Sequence, residues 1–377
     1  MAVLTEEQSM LRDAAKSWVS EKSPVTAFRK MRDSGNEDGF DNGAWKEIAE
    51  MGWTGIIIPE EFGGSGLGYL TLGVVLEEMG RTLTASPLLS TAAATSALLI
   101  AGNDAQKKEW LPKIAEGKAI AALAVDEKSH HAPQHMTLEA KKTGSGYTLN
   151  GKKVFVQDGG SADLLVVAAR TSGKADEKNG ITLFLVPGNA NGLKRTKLKS
   201  VDSRGVANLE FSNVEVPGSA VLGSADAGFD VLDATLDRAR AALAAEMLGA
   251  AMQEFEVTLD YLKTRTQFGQ VIGTFQALQH RAAKMFTDLE LTRSCVEAAL
   301  TAIDKNANDV PALVSLSKAK VNELAHLVSN EMVQMHGGIG MTDAHDSGLY
   351  LKRARAAEAT YGSASFHRDR YARLMGY

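Results

Sequence analysis

A single cysteine, Cys295, stands in a chain of 377 residues. That excludes an intrachain disulfide and fits a reducing compartment, so a cytoplasmic location is expected. No apolar run reaches the roughly 18 residues of a membrane span. Glu6, Glu7 and Asp13 stand where a secretory leader would need an apolar stretch. Basic charge is not in excess: the net charge is -5, which argues against nucleic acid as a main partner. Internal repeats and low-complexity tails are absent as well. What remains is ordinary for a soluble globular protein, 44% hydrophobic and 23% charged, and long enough for two or three domains.

The texture of the chain changes twice. The first third reads as helices. Thr5-Glu6-Glu7-Gln8 is a capping-box pattern, and helical apolar spacing recurs at 44–51 and 70–79. Between these lies a turn rich in glycine, Pro59 to Gly68. It reads either as a phosphate cradle or as a loop shaping a cleft wall, and the absence of a following Lys-Ser/Thr favours the loop. From Ala119 short β-branched runs alternate with turns at 121–125, 147–149, 153–156, 164–168, 181–186, 198–199, 209–211 and 214–216. Asn150-Gly151 between two of them signals a hairpin, and 171–179 reads as an exposed loop. From about Gly228 helices return and are long, at 232–264, 276–305 and 310–336, which suggests a bundle with a large subunit interface. The division expected is an N-terminal all-α domain (1–118), a middle β domain (119–225) and a C-terminal helical bundle (226–377).

The most informative stretch runs from Lys263 to His280. Arg265, Gln267 and Phe268 come first, a tight turn follows at Gly269 to Gly273, and a helix opens at Phe275-Gln276. A fork of cationic donors, open amides and an aromatic wedge beside a helix start suit a large anionic cofactor with a flat ring. The segment closely resembles the flavin-binding signature of the acyl-CoA dehydrogenases. Three further motifs support the resemblance in order: Pro59 to Gly68 with Glu77 to Arg81, Leu149 to Gly159, and Gln334 to Met341 with Tyr350 to Arg355.

The resemblance covers nearly the whole chain. It implies the acyl-CoA dehydrogenase-like fold: N-terminal helices, a small antiparallel β barrel or sandwich, and a C-terminal four-helix bundle. It also implies FAD, with Arg265, Gln267, Phe268, Ile272, Phe275 and Gln276 on the dinucleotide arm and Gln334, Met335, His336, Gly337 and Gly338 at the adenosine end. Ser363 and Ser365 stand where the family places Thr and Gln. Val125, Asp126, Phe155 and Gln157 occupy the flavin-ring side, where Phe155 replaces Trp and Gln157-Asp158 replaces Thr-Asn. Asp237 and Arg240 resemble the family's Asp-x-x-Arg at the acyl-CoA thioester channel; the plain alternative is a solvated charged first turn. The partners implied are an acyl-CoA, an acceptor like electron-transfer flavoprotein, and either further copies in a dimer or tetramer or a paralogous subunit.

The family's chemistry needs a carboxylate to take an α-proton beside the thioester. Both places where the family keeps it lack one here: Tyr361 stands in the C-terminal motif and Ala239 precedes Arg240 in the long helix. A phenol with a reference pKa of ~10 is a poor base unless a cation lowers it, for which Arg240 is a candidate. Glu246 and Asp158 could serve only in a rearranged cleft, and structural roles are favoured for both. His130, His131 and His135 invite a metal reading, but Pro133 interrupts helical pairing and no third-ligand cluster is near, so a solvated loop is expected and no metal.

Three readings follow. The first is α,β-dehydrogenation of an acyl-CoA, of a bulky, ring or dicarboxylic class, with this chain as one subunit of a heteromer. The second is a flavoenzyme of the same fold with other chemistry. The third is a catalytically inactive FAD- or CoA-binding subunit.

Overall fold

The computed structural model describes residues 4–377. The chain begins with helices α1 (Glu6–Lys22), α2 (Val25–Asp33), α3 (Asn42–Glu50), α4 (Gly68–Arg81), α5 (Leu88–Ala101) and α6 (Asp104–Ala115). Strands β1 (Ala121–Ala124), β2 (Glu139–Thr143), β3 (Gly146–Gln157), β4 (Leu164–Arg170), β5 (Ile181–Pro187), β6 (Leu193–Lys197), β7 (Val206–Pro217) and β8 (Val221–Leu222) follow. Then come α7 (Phe229–Thr264), the short pair β9 (Thr266–Gln267) and β10 (Gln270–Val271), α8 (Gln276–Asp304), α9 (Val310–His336), α10 (Ser347–Ala359) and α11 (Ala364–Leu374). The helix–sheet–helix order expected from the sequence is the order found. The capping box is formed as well: Thr5 Oγ1 accepts from the Gln8 amide at 3.2 Å, and Gln8 Oε1 accepts from the Thr5 amide at 3.1 Å.

Packing groups the chain into two compact units. One comprises the chain up to Arg29, Tyr69–Thr84 and Arg240–Tyr377; the other comprises Lys30–Gly68 and Ala85–Ala239. In the first, α9 packs on α8, α10 and α11. Its buried stripe runs through Val314, Lys318, Val321, Ala325, Val328 and Met332 at spacings of three and four, the period of one helix face. Helices α4 and α7 cross at glycine. A Cβ at Gly80 would collide with the Glu246 carbonyl, and one at Gly249 with the Glu77 carbonyl, so the two backbones approach where no side chain fits.

The second unit is built on an eight-stranded sheet in the order β6-β7-β3-β2-β4-β5-β8, with β1 also on β4. β4 is buried along its whole length and β5 nearly so, which explains their continuous apolar sequence. Against β1 lies α5, buried from Leu88 to Leu98. Arg170 at the end of β4 donates to the carbonyls of Gln134, Met136, Ser172, Ala175, Glu177 and Asn179, tying the loop after β4 to the segment before β2.

Several local expectations fail. Asn150-Gly151 is not a hairpin. β3 runs through it with a register shift between Leu149 and Gly151. Asn150 keeps a negative φ whereas a primed turn needs its first central residue positive. Gly151 is required for another reason: at φ 142° its Cα faces Leu138, and a Cβ would come within 2.8 Å of Leu138 Cα. The turn lies earlier, at Gly144, where β2 meets β3. β2, with sequence Glu-Ala-Lys-Lys-Thr, carries too much exposed charge to signal a strand. The runs at 209–211 and 214–216 are one strand, β7, and 198–199 lies beyond the end of β6. The sheet is not purely antiparallel either, because β1 pairs with β4 in parallel from Ala121 to Ala124.

Candidate active site

The base positions lie in a buried setting. α10 ends at Ala359, and the chain then turns through Tyr361 (φ 56°) and Gly362 (φ 117°) into α11. Tyr361 is buried, and its carbonyl accepts from Arg240 Nε at 3.2 Å and faces His367 Nε2 at 3.0 Å. Arg240 is wholly buried, with its guanidinium over the Phe366 ring at 5.5 Å. It therefore meets the Tyr361 main chain. Ala239 is buried beside it on α7. The solvated-first-turn reading of 237–240 fails: α7 begins at Phe229, so these residues form an interior turn, and Asp237 is only 1% exposed.

The remaining carboxylates are engaged. Glu246 Oε1 accepts from Arg353 Nε at 3.0 Å and from Nη2 at 2.8 Å. Asp158 Oδ2 accepts from Ser90 Oγ at 2.6 Å.

Lys318, Asn322 and His367 escaped notice in the sequence, although all three lie under this turn. Lys318 Nζ donates to Asn322 Oδ1 at 2.6 Å, Ala357 O at 3.0 Å and Gly362 O at 3.4 Å. Asn322 Nδ2 donates to Gly362 O at 3.2 Å. Burial pushes the Lys318 amine down to about 7, with Arg240 and Arg353 adding to the fall and Glu358 opposing it. Burial, Arg240 and Lys318 lower His367 to about 2, so its imidazole is neutral and donates through Nε2. The one available signal was Lys318's place on the otherwise apolar stripe of α9.

The segment from Arg265 to Gln276, expected to hold a dinucleotide, is the opposite kind of surface. β9 and β10 form a hairpin whose turn residues, Phe268 (φ 56°) and Gly269 (φ 77°), are both left-handed, as a type I′ turn requires. Phe268 is 87% exposed and touches the Phe275 ring edge-on at 6.2 Å. Arg265 is exposed and, among the described residues, its side chain has no hydrogen bond or ion pair. Among the described residues Gln267 Nε2 donates only to the neighbouring Thr266 carbonyl, and Ile272 is buried beneath the hairpin. α8 starts after Phe275 without a side-chain cap, leaving the Gln276 end of the helix open to an anion.

At the end of α9, Gln334 is exposed and Met335 is buried. A Cβ at Gly337 or Gly338 would meet nothing within 4 Å, so a flat ring has room to approach there. His336 is buried between Tyr261 (4.3 Å) and His345 (4.2 Å); Nδ1 donates to Met332 O at 2.7 Å, and Nε2 is buried with no partner among the described residues. A free cationic fork, an uncapped helix start and open glycines suit a dinucleotide. Ser363 caps α11, its Oγ accepting from the Phe366 amide at 3.3 Å and lying 2.9 Å from Ser365 Oγ.

In the sheet unit, Val125 is buried and its carbonyl accepts from Lys153 Nζ at 2.9 Å. Asp126 pairs with His131 Nδ1 at 2.9 Å. Burial opposes its charge, but His131, the Ala132 amide and Lys153 together hold its carboxyl below the usual range. His131 is therefore buried, not solvated: its ring is the counter-group to Asp126. Phe155 is 53% exposed at φ 52°, set out by a second irregularity in β3, and Gln157 is half-buried at the strand end. The glycine-rich turn is no phosphate cradle, because the amides of Phe62 to Leu67 all donate to carbonyls of residues 55–60. Among the described residues no group of three or more His, Cys, Asp or Glu could hold a metal ion, and no helix is long and apolar enough to cross a membrane.

Comparison with known proteins agrees along the whole chain. The family models for the acyl-CoA dehydrogenase N-terminal, middle and C-terminal domains match residues 5–118, 123–214 and 226–376. Mitochondrial isovaleryl-CoA dehydrogenase of Pongo abelii is 34% identical over 97% of this chain and 88% of its own length. An acyl-CoA dehydrogenase crystal structure from Geobacillus kaustophilus matches with a TM-score of 0.92 at 27% identity, covering 100% of both chains. A variant of the steroid ACAD Tcur3481-Tcur3483 matches with a TM-score of 0.88 at 30% identity, covering 98% of each. The chain belongs to the acyl-CoA dehydrogenase family, FAD-dependent oxidoreductases acting on CH–CH donors.

Proposed function

We propose that this chain is one subunit of a heteromeric acyl-CoA dehydrogenase in which another chain supplies the proton-abstracting carboxylate. One observation carries the reading. Tyr361 and Ala239 fill the two base positions, both are buried, and the carboxylates of Glu246 and Asp158 already have partners. An α-C–H beside a thioester is too weakly acidic to be taken by a neutral phenol.

The chain's own residues then bind and orient. Arg265, Gln267, Phe268, Ile272, Phe275 and Gln276 hold the pyrophosphate arm of an FAD. Gln334, Met335, His336, Gly337 and Gly338 receive its adenosine end, with Ser363 and Ser365 beside it. Val125, Asp126, Phe155 and Gln157 face a flavin ring. When bound, FAD accepts the β-hydrogen as hydride. Asp237 and Arg240 position the thioester of the acyl-CoA, and an acceptor like electron-transfer flavoprotein takes the electrons onward. The likeness to a steroid ACAD whose printed name joins two designations supports a paired assembly and a bulky, ring or dicarboxylic acyl group.

The test is anaerobic mixing of the FAD-loaded chain with short, dicarboxylic and steroid acyl-CoAs, alone and with a carboxylate-bearing paralogue from the same source. Bleaching of the flavin only in the mixed assembly is the expected result. Rapid bleaching by this chain alone would refute it, and no bleaching in any assembly would leave a non-catalytic binding subunit as the better account.

A further inference from the structure

The turn at Tyr361–Gly362 is held more firmly than a connection between two helices requires. Its two successive carbonyls receive four donors: Arg240 Nε and His367 Nε2 at Tyr361 O, Asn322 Nδ2 and Lys318 Nζ at Gly362 O. The donors come from α7, α9 and α11, and none of the four side chains is more than 2% exposed. Both turn residues have positive φ, a conformation that a non-glycine residue keeps only where the surroundings over-determine it. Gly362 is fitted to the same donors, since a Cβ there would come within 2.6 Å of His367 Nε2.

Lys318 is the most telling member. Its three protons meet three neutral acceptors, and it makes no ion pair among the described residues. A buried amine without an ion pair is a costly choice for a helix stripe that is otherwise apolar, so packing alone does not explain it. A neutral His367 adds a donor to the same turn without adding a further charge.

We propose that Lys318, Asn322 and His367 are positioning residues that fix the direction in which residue 361 projects, so the seat of a proton-accepting side chain persists in a chain that carries tyrosine there. The fixing of the turn stands on geometry alone; its role as the seat of a base rests on the proposed function.

The experiment uses the full FAD-loaded chain with 3-fluorotyrosine incorporated, the 361 signal being assigned by its loss in Tyr361→Phe. Lys318→Met, Asn322→Leu and His367→Leu should each shift or broaden the 361 fluorine resonance. His367→Gln, which keeps a donor at similar reach, should restore it. Leu324→Ala, a cavity in the same helix, should lower the melting temperature without moving the signal. In a Tyr361→Glu background, adding Lys318→Met or His367→Leu should lower the rate of flavin reduction at saturating acyl-CoA at least tenfold, with a smaller change in KM. An unmoved 361 resonance in the folded variants overturns the proposal, and if Lys318→Met does not fold, His367→Leu and Asn322→Leu decide it. A moved resonance with no activity in Tyr361→Glu overturns only the reading of 361 as the base position.

Discussion

Two regions of this chain contrast sharply: the arm from Arg265 to Gln276 and the turn at Tyr361–Gly362. The arm is an exposed hairpin with a free guanidinium, an aromatic ring 87% in solvent and an uncapped helix start. The turn is fully enclosed, and its two carbonyls are met by four buried donors. The arm offers groups that nothing in the described chain satisfies, which is the property of a surface completed by a ligand or another subunit. The turn is already complete without either. In the proposed reading, cofactor affinity and chemical competence reside in separately built parts, and one can be lost while the other stays.

The strongest way to break that separation is to put a carboxylate where the enclosed turn lacks one. Tyr361→Glu should raise the rate of flavin bleaching by an acyl-CoA in the isolated chain by about 100-fold or more, the range a positioned general base contributes; stopped-flow absorbance of the flavin reads it. No gain would mean that the turn does not face the reacting carbons.

Arg265→Ala comes next in size. A hydrogen bond to a charged group contributes roughly 1.5–3 kcal/mol, so FAD affinity should fall about 10- to 100-fold, read from flavin retained on dialysis or from fluorescence titration. The melting temperature of the apoprotein should not move, because the side chain is exposed and free. Retention of FAD at the parent level would remove the arm from the binding account.

Ser363→Ala sharpens the comparison, since Ser363 is both a proposed cofactor contact and the cap of α11. Loss of the cap alone should cost about 1 kcal/mol of stability with FAD affinity unchanged. A fall in both, by denaturant melts and flavin titration, would show that the residue serves both regions.

A further effect concerns pH. Glu254 on α7 is buried, with Oε2 unpartnered among the described residues. Burial raises its carboxyl well above 4.5, with Glu358 adding to the rise and Arg355 opposing it. The folded state therefore holds a proton that the unfolded state releases. Its contribution to stability is complete at acid pH and is lost as pH climbs from the unfolded value toward the raised one. Glu254→Gln cannot ionise, so its melting temperature relative to the parent should improve steadily from about pH 5 to about pH 8. A constant gap across that range would show that Glu254 is charged in the fold.

The arm and the long helices were legible in the sequence because their signals are local. Arg265, Gln267 and Phe268 are read within a few residues, and α9 follows directly from its apolar period. The turn's supports were not legible: Lys318, Asn322 and His367 meet the carbonyls of Gly362 and Tyr361 through contacts 6 to 44 residues apart in the chain, which no local pattern encodes. Asn150-Gly151 shows the converse error. A strong local turn signal was overridden by pairing of β3 with β7 on both sides of it. His131 was misjudged for the same reason as Lys318, since its partner Asp126 is visible as a partner only once the loop is folded.

Lys318 and Lys153 are both inaccessible to solvent, each held by three acceptor atoms. An amine-reactive mass tag applied to the native protein should leave these two lysines unlabelled while exposed lysines react. Each therefore serves as a natural reporter: label on Lys153 dates the opening of the sheet unit, and label on Lys318 dates the release of the turn that holds Tyr361.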